Sequence, residues 1–268
     1  MRRRLLAMVV VGLATTFVAC GPPTPRVPRG GNALRVGVTA DSPPFVLIQG
    51  GQGGKLAGLE VDFALELGRA LGRPVEFIDL EWNDQIRALQ AGRTDIIMSG
   101  MSVTPARQVA IAFSQPYLRS GLATLVRRED AQKFPDVMPV TSCSVRIGVV
   151  AGTTGARWAH DRCPGGLAVY TTTQSAIDEL RTRRIDAVIQ DGPILGWYAS
   201  RGEADFMIVR PLLTNEPLAW GMRLNDERLR AAVDAALARW MSDGTRDRIL
   251  GRWVPYWRQL ETAPGARR

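Results

Sequence analysis

The stretch Trp82-Asn-Asp-Gln-Ile-Arg-Ala-Leu-Gln-Ala-Gly-Arg-Thr-Asp-Ile-Ile-Met-Ser-Gly-Met-Ser-Val-Thr-Pro-Ala-Arg107 decides the fold. It reads as a helix over Asp84–Gln90 and a buried strand over Thr94–Met98 that ends at Ser99-Gly100, where small residues let a ligand approach the backbone. Thr104-Pro105 is a helix start, with a capping hydroxyl and a proline in the first turn. Arg107 in that turn carries a guanidinium fork suited to a carboxylate. A cation there opposes the helix dipole, which argues against a decorative role, although taken alone it would read as an exposed turn arginine.

Working outward, Leu34–Thr39 is a short strand entering the loop Asp41-Ser-Pro-Pro-Phe45, and Gly50–Gly54 is the tip of a hairpin or a disordered insert. Val61, Ala64, Leu65 and Leu71 predict a helix over Glu60–Leu71, and Val75–Leu80 predicts a strand. This β-α-β-α-β rhythm implies an α/β fold, a mostly parallel sheet with covering helices. The rhythm restarts with strands at Val145–Val150, Ala168–Tyr170 and Ile185–Ile189, and with helices after Gly152-Thr-Thr-Gly155, over Thr173–Arg181 and from near Asp191. Strand-like Gly121–Val126 and Leu218–Met222 flank this second unit. A terminal helix is expected from Asn225, with Asp226 and Glu227 in its first turn and a buried stripe of Leu229, Val233, Leu237, Trp240 and Met241. The expected organisation is a discontinuous first lobe (34–122 and 218–257), a second lobe with hinge segments (123–217) and a tail (258–268). Two crossings between lobes make a hinge.

At 268 residues, with 46% hydrophobic and 22% charged residues, the composition is that of a globular protein. The net charge of +8 invites nucleic acid or a membrane surface as partner, but its location argues otherwise. Met1-Arg-Arg-Arg4 and an apolar run too short to span a bilayer form a secretory signal over 1–19. Val18-Ala19-Cys20 resembles a bacterial lipobox, with Phe17 where leucine is usual, so Cys20 is expected to be lipidated and to anchor the chain to a membrane. The Pro/Gly-rich segment over 20–33 reads as a flexible tether, and the remainder as soluble. Loss of Arg2, Arg3 and Arg4 takes the 34 basic residues to 31 against 26 acidic ones, so the charge falls from +8 to +5. Basic residues do not cluster with aromatics along a strand, so no nucleic acid partner is expected.

One His and three Cys cannot build a Cys/His zinc cluster, and no metal or cofactor is expected. Cys143 and Cys163 form an even pair in an oxidising compartment. A bridge is the expected reading, contributing roughly 3 kcal/mol by chain entropy, and two buried thiols the alternative.

Several stretches occur in a fixed order: Gly58-Leu-Glu-Val-Asp62, the segment quoted first, Phe113-Ser-Gln-Pro-Tyr117, Gly152-Thr-Thr-Gly155, Ile185-Asp-Ala-Val-Ile-Gln-Asp191 and Asp243–Trp253. Together they closely resemble the family 3 extracellular solute-binding proteins, amino-acid receptors of bacterial ABC importers, over about Leu34 to Pro255. The resemblance implies a two-lobed type II periplasmic-binding-protein (Venus-flytrap) fold that closes on a small amino acid, is monomeric and delivers to the importer's transmembrane subunits from an extracytoplasmic position. By the same resemblance Arg107 grips the ligand α-carboxylate, aided by the backbone around Ser102. Thr153 and Thr154 offer backbone amides from the opposite lobe. Asp191 pairs the α-ammonium, with the Gly100 carbonyl and the Ser102 hydroxyl as further acceptors. Trp82 stacks on the ligand, or is a core tryptophan, and Ser99 closes the strand end.

Two positions depart from the family pattern. Thr39 stands where binders of basic amino acids often carry Asp, and Ser42 where an aromatic is frequent, which leans the reading to a polar amino acid and away from Lys or Arg. The enzymatic alternative, a cyclohexadienyl or arogenate dehydratase, needs a positioned general acid. Glu60, Asp62 and Glu81 lie near the cleft segments, but Glu60 and Asp62 fit the first turn of a helix, and His160 reads as an ordinary surface or core residue. No catalytic residue is expected. A receptor serving a separate sensor is the remaining alternative.

Overall fold

The computed structural model describes residues 32–50 and 53–261. The expected leader, Cys20 and most of the tether lie outside the described residues. The first lobe begins with β1 (Leu34–Val38), a hairpin of β2 (Leu47–Gln49) and β3 (Lys55–Ala57), α1 (Leu59–Leu71) and β4 (Val75–Asp79). It continues through α2 (Gln85–Gln90), β5 (Ile96–Ile97), α3 (Pro105–Ala110) and β6 (Ala112–Phe113) to β7 (Leu118–Ser120). The second lobe holds β8 (Leu122–Arg127), α4 (Met138–Thr141), β9 (Ile147–Val150), α5 (Thr154–Arg162) and β10 (Leu167–Tyr170), then α6 (Thr173–Arg181), β11 (Ala187–Asp191), α7 (Gly192–Arg201) and β12 (Phe206–Val209). The chain returns along β13 (Glu216–Leu218) to β14 (Gly221–Met222), α8 (Glu227–Ser242), α9 (Thr245–Trp253) and α10 (Trp257–Glu261).

Each lobe has a five-stranded sheet, ordered β4-β1-β5-β14-β6 in the first and β10-β9-β11-β8-β12 in the second. Parallel pairings hold β4, β1 and β5 together, and β10, β9 and β11, while the strands on the far side of each sheet run antiparallel. Between the lobes, β7 and β13 pair antiparallel, Glu216 opposite Ser120 and Leu218 opposite Leu118. These are the two crossings. A two-stranded connection fixes the separation of the lobes while leaving few backbone bonds to oppose a hinge rotation.

Apolar spacing builds the cores. Val61, Ala64 and Leu67 of α1 and Leu229, Val233, Leu237 and Trp240 of α8 are buried beside the first sheet, each large side chain contributing about 1.5–3 kcal/mol. Two expected members of these stripes are instead exposed, Leu65 at 41% and Met241 at 52%. Each adjoins a buried residue, and one position along a helix turns a side chain about 100° off the buried stripe. Helix α8 starts at Glu227, two residues past the expected Asn225, because the Asp226 carboxylate accepts the Leu229 amide as its cap at 3.3 Å. The segment Leu218–Met222, expected as one strand, breaks between β13 and β14. There the Ala219 amide donates to the Met101 carbonyl and the Trp220 amide to the Ser114 hydroxyl, in place of a ladder.

Two expected boundaries shift. Leu122 pairs with Asp191 in the second sheet, so it falls in the second lobe and not the first. The expected tail includes 258–261, yet these lie in α10, where Leu260 is buried in the first lobe's core. The Tyr256 hydroxyl just before α10 donates to the Pro193 carbonyl of α7, so the C-terminal segment touches both lobes.

Cys143 and Cys163 are bridged, with a Cα–Cα distance of 5.5 Å, tying the turn after α4 to the end of α5. Reduction is expected to lower the unfolding free energy by about 3 kcal/mol, the entropy of the released loop. Urea titration with and without reductant checks this, and coincident curves would contradict it.

Candidate functional site

The parallel strands of both sheets aim their carboxyl ends at one cleft of about 570 Å³, the position where open α/β sheets bind ligands. The first lobe supplies Thr39 and Ser42 after β1, Glu81 and Trp82 after β4, and Ser99 and Gly100 after β5. The second supplies Thr153 after β9, Thr171–Thr173 after β10, and Gln190 and Asp191 at the end of β11. Thr39, Ser42, Trp82, Ser99, Gly100, Thr153 and Asp191 from the sequence reading thus share one cavity. Arg107, Ser102 and Thr154 stand off its lining.

Arg107 sits where the sequence puts it, in the first turn of α3, its amide donating to the Thr104 hydroxyl at 3.2 Å. The guanidinium is held on both sides of the cleft. Nη1 donates to the Ser102 carbonyl at 2.9 Å and Nη2 to the Gly152 carbonyl of the second lobe at 3.4 Å. It also lies 5.1 Å from the centroid of the Trp82 ring, whose Nε1 donates to the same Gly152 carbonyl at 3.1 Å. Ser102 therefore positions Arg107 through its carbonyl, and Trp82 presents a face to the cation as well as to the cleft. Gly152 has φ +75°, a left-handed backbone that favours glycine, and a Cβ there would press on the Asn83 side chain, so glycine suits this contact between lobes. Thr153 caps α5, accepting the Ala156 amide at 3.1 Å. Thr39 donates its hydroxyl to the Leu80 carbonyl, and its amide bonds the Ser99 hydroxyl, which ties two strand ends together.

Asp191 is the most perturbed group in the cleft. It is 8% exposed, and its Oδ1 meets no hydrogen-bond donor among the described residues. Although it precedes α7, its side chain makes no cap bond. Burial raises its pKa to about 7, Glu216 pushes the same way, and Arg107 opposes them. Burial likewise holds the Arg107 guanidinium below its ordinary value, against the attraction of Asp191 and Glu216.

Asp41, beside the strand-end position where basic-ligand binders often carry an acid, is on the lining, and the sequence reading missed further charges there: Asp79 and Asp84, with Arg93 as a cation. Asp79 could have been found by its place at a parallel strand's carboxyl end. Glu60, read as a first-turn acid, is in that turn but wholly buried beneath Gly100. Asp62 faces away, accepting from Trp253 Nε1 at 2.7 Å. His160 is exposed on α5, and the described residues hold no metal-ligating cluster.

Over residues 34–256 the chain matches the bacterial extracellular solute-binding proteins, family 3, and it belongs to that family. The ABC transporter arginine-binding protein 1 of Escherichia coli (strain K12) is 27% identical over 227 residues, 83% of this chain and 90% of that one. An ancestral amino acid-binding protein described as a precursor of cyclohexadienyl dehydratase superposes with a TM-score of 0.77 at 33% identity, over 83% of this chain and 95% of its own. An ancestral arginine-binding protein bound to arginine reaches 0.76 at 28% identity, over 83% and 98%. The two-lobed type II fold expected from the sequence is the one observed, and the Escherichia coli relative is by name an arginine-binding protein of an ABC transporter.

An acid whose pKa is raised by folding is stabilising-neutral while protonated and costs stability once ionised. For Asp191 that loss develops as pH rises from about 4 through about 7. Asp191→Asn is therefore expected to raise the unfolding free energy at pH 8 by roughly 1–3 kcal/mol and to change it little at pH 4. Denaturant titrations at both values check this; an equal effect at the two would contradict it.

Proposed function

We propose that this protein is the extracytoplasmic substrate-binding component of an ABC importer and closes its lobes on an α-amino acid. The observation that carries the reading is the pairing of opposite charges on opposite lobes: a buried Asp191 oxygen with no protein donor, and the Arg107 guanidinium. A zwitterion needs one fixed cation and one fixed anion, and closure completes both contacts. Arg107 takes the α-carboxylate and Asp191 the α-ammonium, with the Gly100 carbonyl and Ser102 as further acceptors. The Thr153 and Thr154 turn and the Trp82 ring form walls. Family membership and the names of the relatives support transport over catalysis.

The side chain in this reading is cationic. Asp41, Asp79, Glu81 and Asp84 line the cleft with Arg93; Asp84 is paired with Arg87, and the acids that remain still outnumber Arg93, so the field there favours positive charge. Thr39 leaves the first strand end neutral, and these acids compensate from the neighbouring loops. The arginine-binding relatives point the same way. The reading also includes a monomer, anchored through a lipid on Cys20 and delivering to the importer's membrane subunits.

Calorimetry with arginine, glutamine and glutamate is expected to rank them in that order. Arg107→Ala and Asp191→Ala should each weaken binding at least about tenfold, since a charge left unpaired in a closed cleft costs more than 1.4 kcal/mol. Tight glutamate binding would overturn the cationic preference. Unchanged affinity in either variant would overturn the zwitterion site.

A further inference from the structure

Three segments distant in sequence converge on one carboxylate beneath the cleft. Glu60, in the first turn of α1, is fully buried. Its Oε1 accepts the Gly100 amide at 2.7 Å and the Tyr117 hydroxyl at 2.7 Å, and its Oε2 accepts Trp220 Nε1 at 2.8 Å. The three donors occupy consequential places. Gly100 forms the cleft floor with φ +67°, and a Cβ there would stand 2.6 Å from the Phe45 ring, so this turn is packed from below as well as bonded. Tyr117 directly precedes β7, its amide donating to the Leu218 carbonyl at the end of β13. Trp220 lies two residues beyond β13 and stacks on Tyr117 with ring centroids 5.1 Å apart. One carboxylate thus ties the ligand-facing turn to the first-lobe ends of both hinge strands.

For a purely structural role this is an expensive choice. Burial raises the Glu60 pKa to about 7 even though all three donors favour its ionised form, and an apolar side chain would fill the same space without desolvating a charge. The charge supplies a strong, directional hold on the Gly100 amide. We propose that Glu60 is a positioning residue for ligand capture. Its carboxylate holds the Gly100 turn so that its backbone faces the cleft, and couples that turn to the hinge, without touching the ligand. The inference rests on the amino-acid reading of the cleft.

Glu60→Gln keeps the shape but can offer one acceptor oxygen only, setting its amide nitrogen against either the Gly100 amide or the Trp220 indole. Calorimetry on the folded variant is expected to show arginine, or whichever amino acid binds the unmodified protein best, weakened at least about fivefold. Tyr117→Phe, which leaves the carboxylate on Gly100, should stay within about twofold. Coupling is reciprocal, so saturating ligand must in turn strengthen the Glu60–Gly100 bond. Hydrogen exchange of the Gly100 amide in the unmodified protein is expected to slow by a similar factor, and this holds as a test even if the variant fails to fold. A folded Glu60→Gln protein with unchanged affinity, or a Gly100 amide indifferent to ligand, would overturn the positioning role. Failure of the unmodified protein to bind any amino acid would instead overturn the reading of the cleft.

Discussion

Two buried carboxylates with the same perturbation and opposite surroundings organise this molecule. Glu60 and Asp191 are both pushed to about 7 by burial. Glu60 is met by three protein donors, whereas Asp191 Oδ1 is met by none among the described residues. A buried charge without partners is destabilising by several kcal/mol unless the group takes up a proton or gains a partner. The contrast separates a carboxylate that protein donors hold from one that, in the proposed reading, is left to pair the ligand's ammonium. It also sets the requirement the other elements meet: a counter-charge on the facing lobe, and a hinge that can bring the two together.

The remaining architecture follows from that requirement. Parallel strands in both sheets end at the same cleft, which lets loops from six strand ends contribute side chains to one cavity. The pair β7 and β13 joins the lobes along a narrow ladder, and α10 packs beside β7 with Leu260 close to α7 at Gly192. Across the cleft mouth, Trp82 and Arg107 both donate to the Gly152 carbonyl. That carbonyl meets the guanidinium on one side and the Ser102 carbonyl meets it on the other, so the protein's own acceptors orient Arg107. Preorganisation of this kind lowers the ordering cost of binding.

Much of the fold was legible because periodicity and punctuation agree. The repeated β-α rhythm, the Thr104-Pro105 start and most of the stripes of α1 and α8 are local signals, and they report local structure. Of the site, the residues after strand ends were legible through the family resemblance. Glu60 was not, because an acid in a helix's first turn satisfies the dipole preference whether it faces solvent or core. Only the tertiary fold brings Tyr117 and Trp220 onto it. The acidic lining was legible only in part: Asp41 and Glu81 stand in segments expected near the cleft, whereas Asp79 ends β4 and Asp84 precedes α2, and their common field exists only once these segments meet. The break between β13 and β14 leaves no mark in the sequence because Leu218–Met222 is apolar throughout, and hydrogen bonds from the Ala219 and Trp220 amides to Met101 and Ser114, rather than composition, divide it.

The central claim is that a zwitterion bridges the lobes between Arg107 and Asp191. A crystal structure of the complex with arginine tests it most directly. The expected result is the α-carboxylate on the Arg107 guanidinium and the α-ammonium on Asp191 Oδ1, within hydrogen-bonding distance of both. A bound amino acid whose ammonium lies away from Asp191, leaving that oxygen without a donor, would contradict the claim.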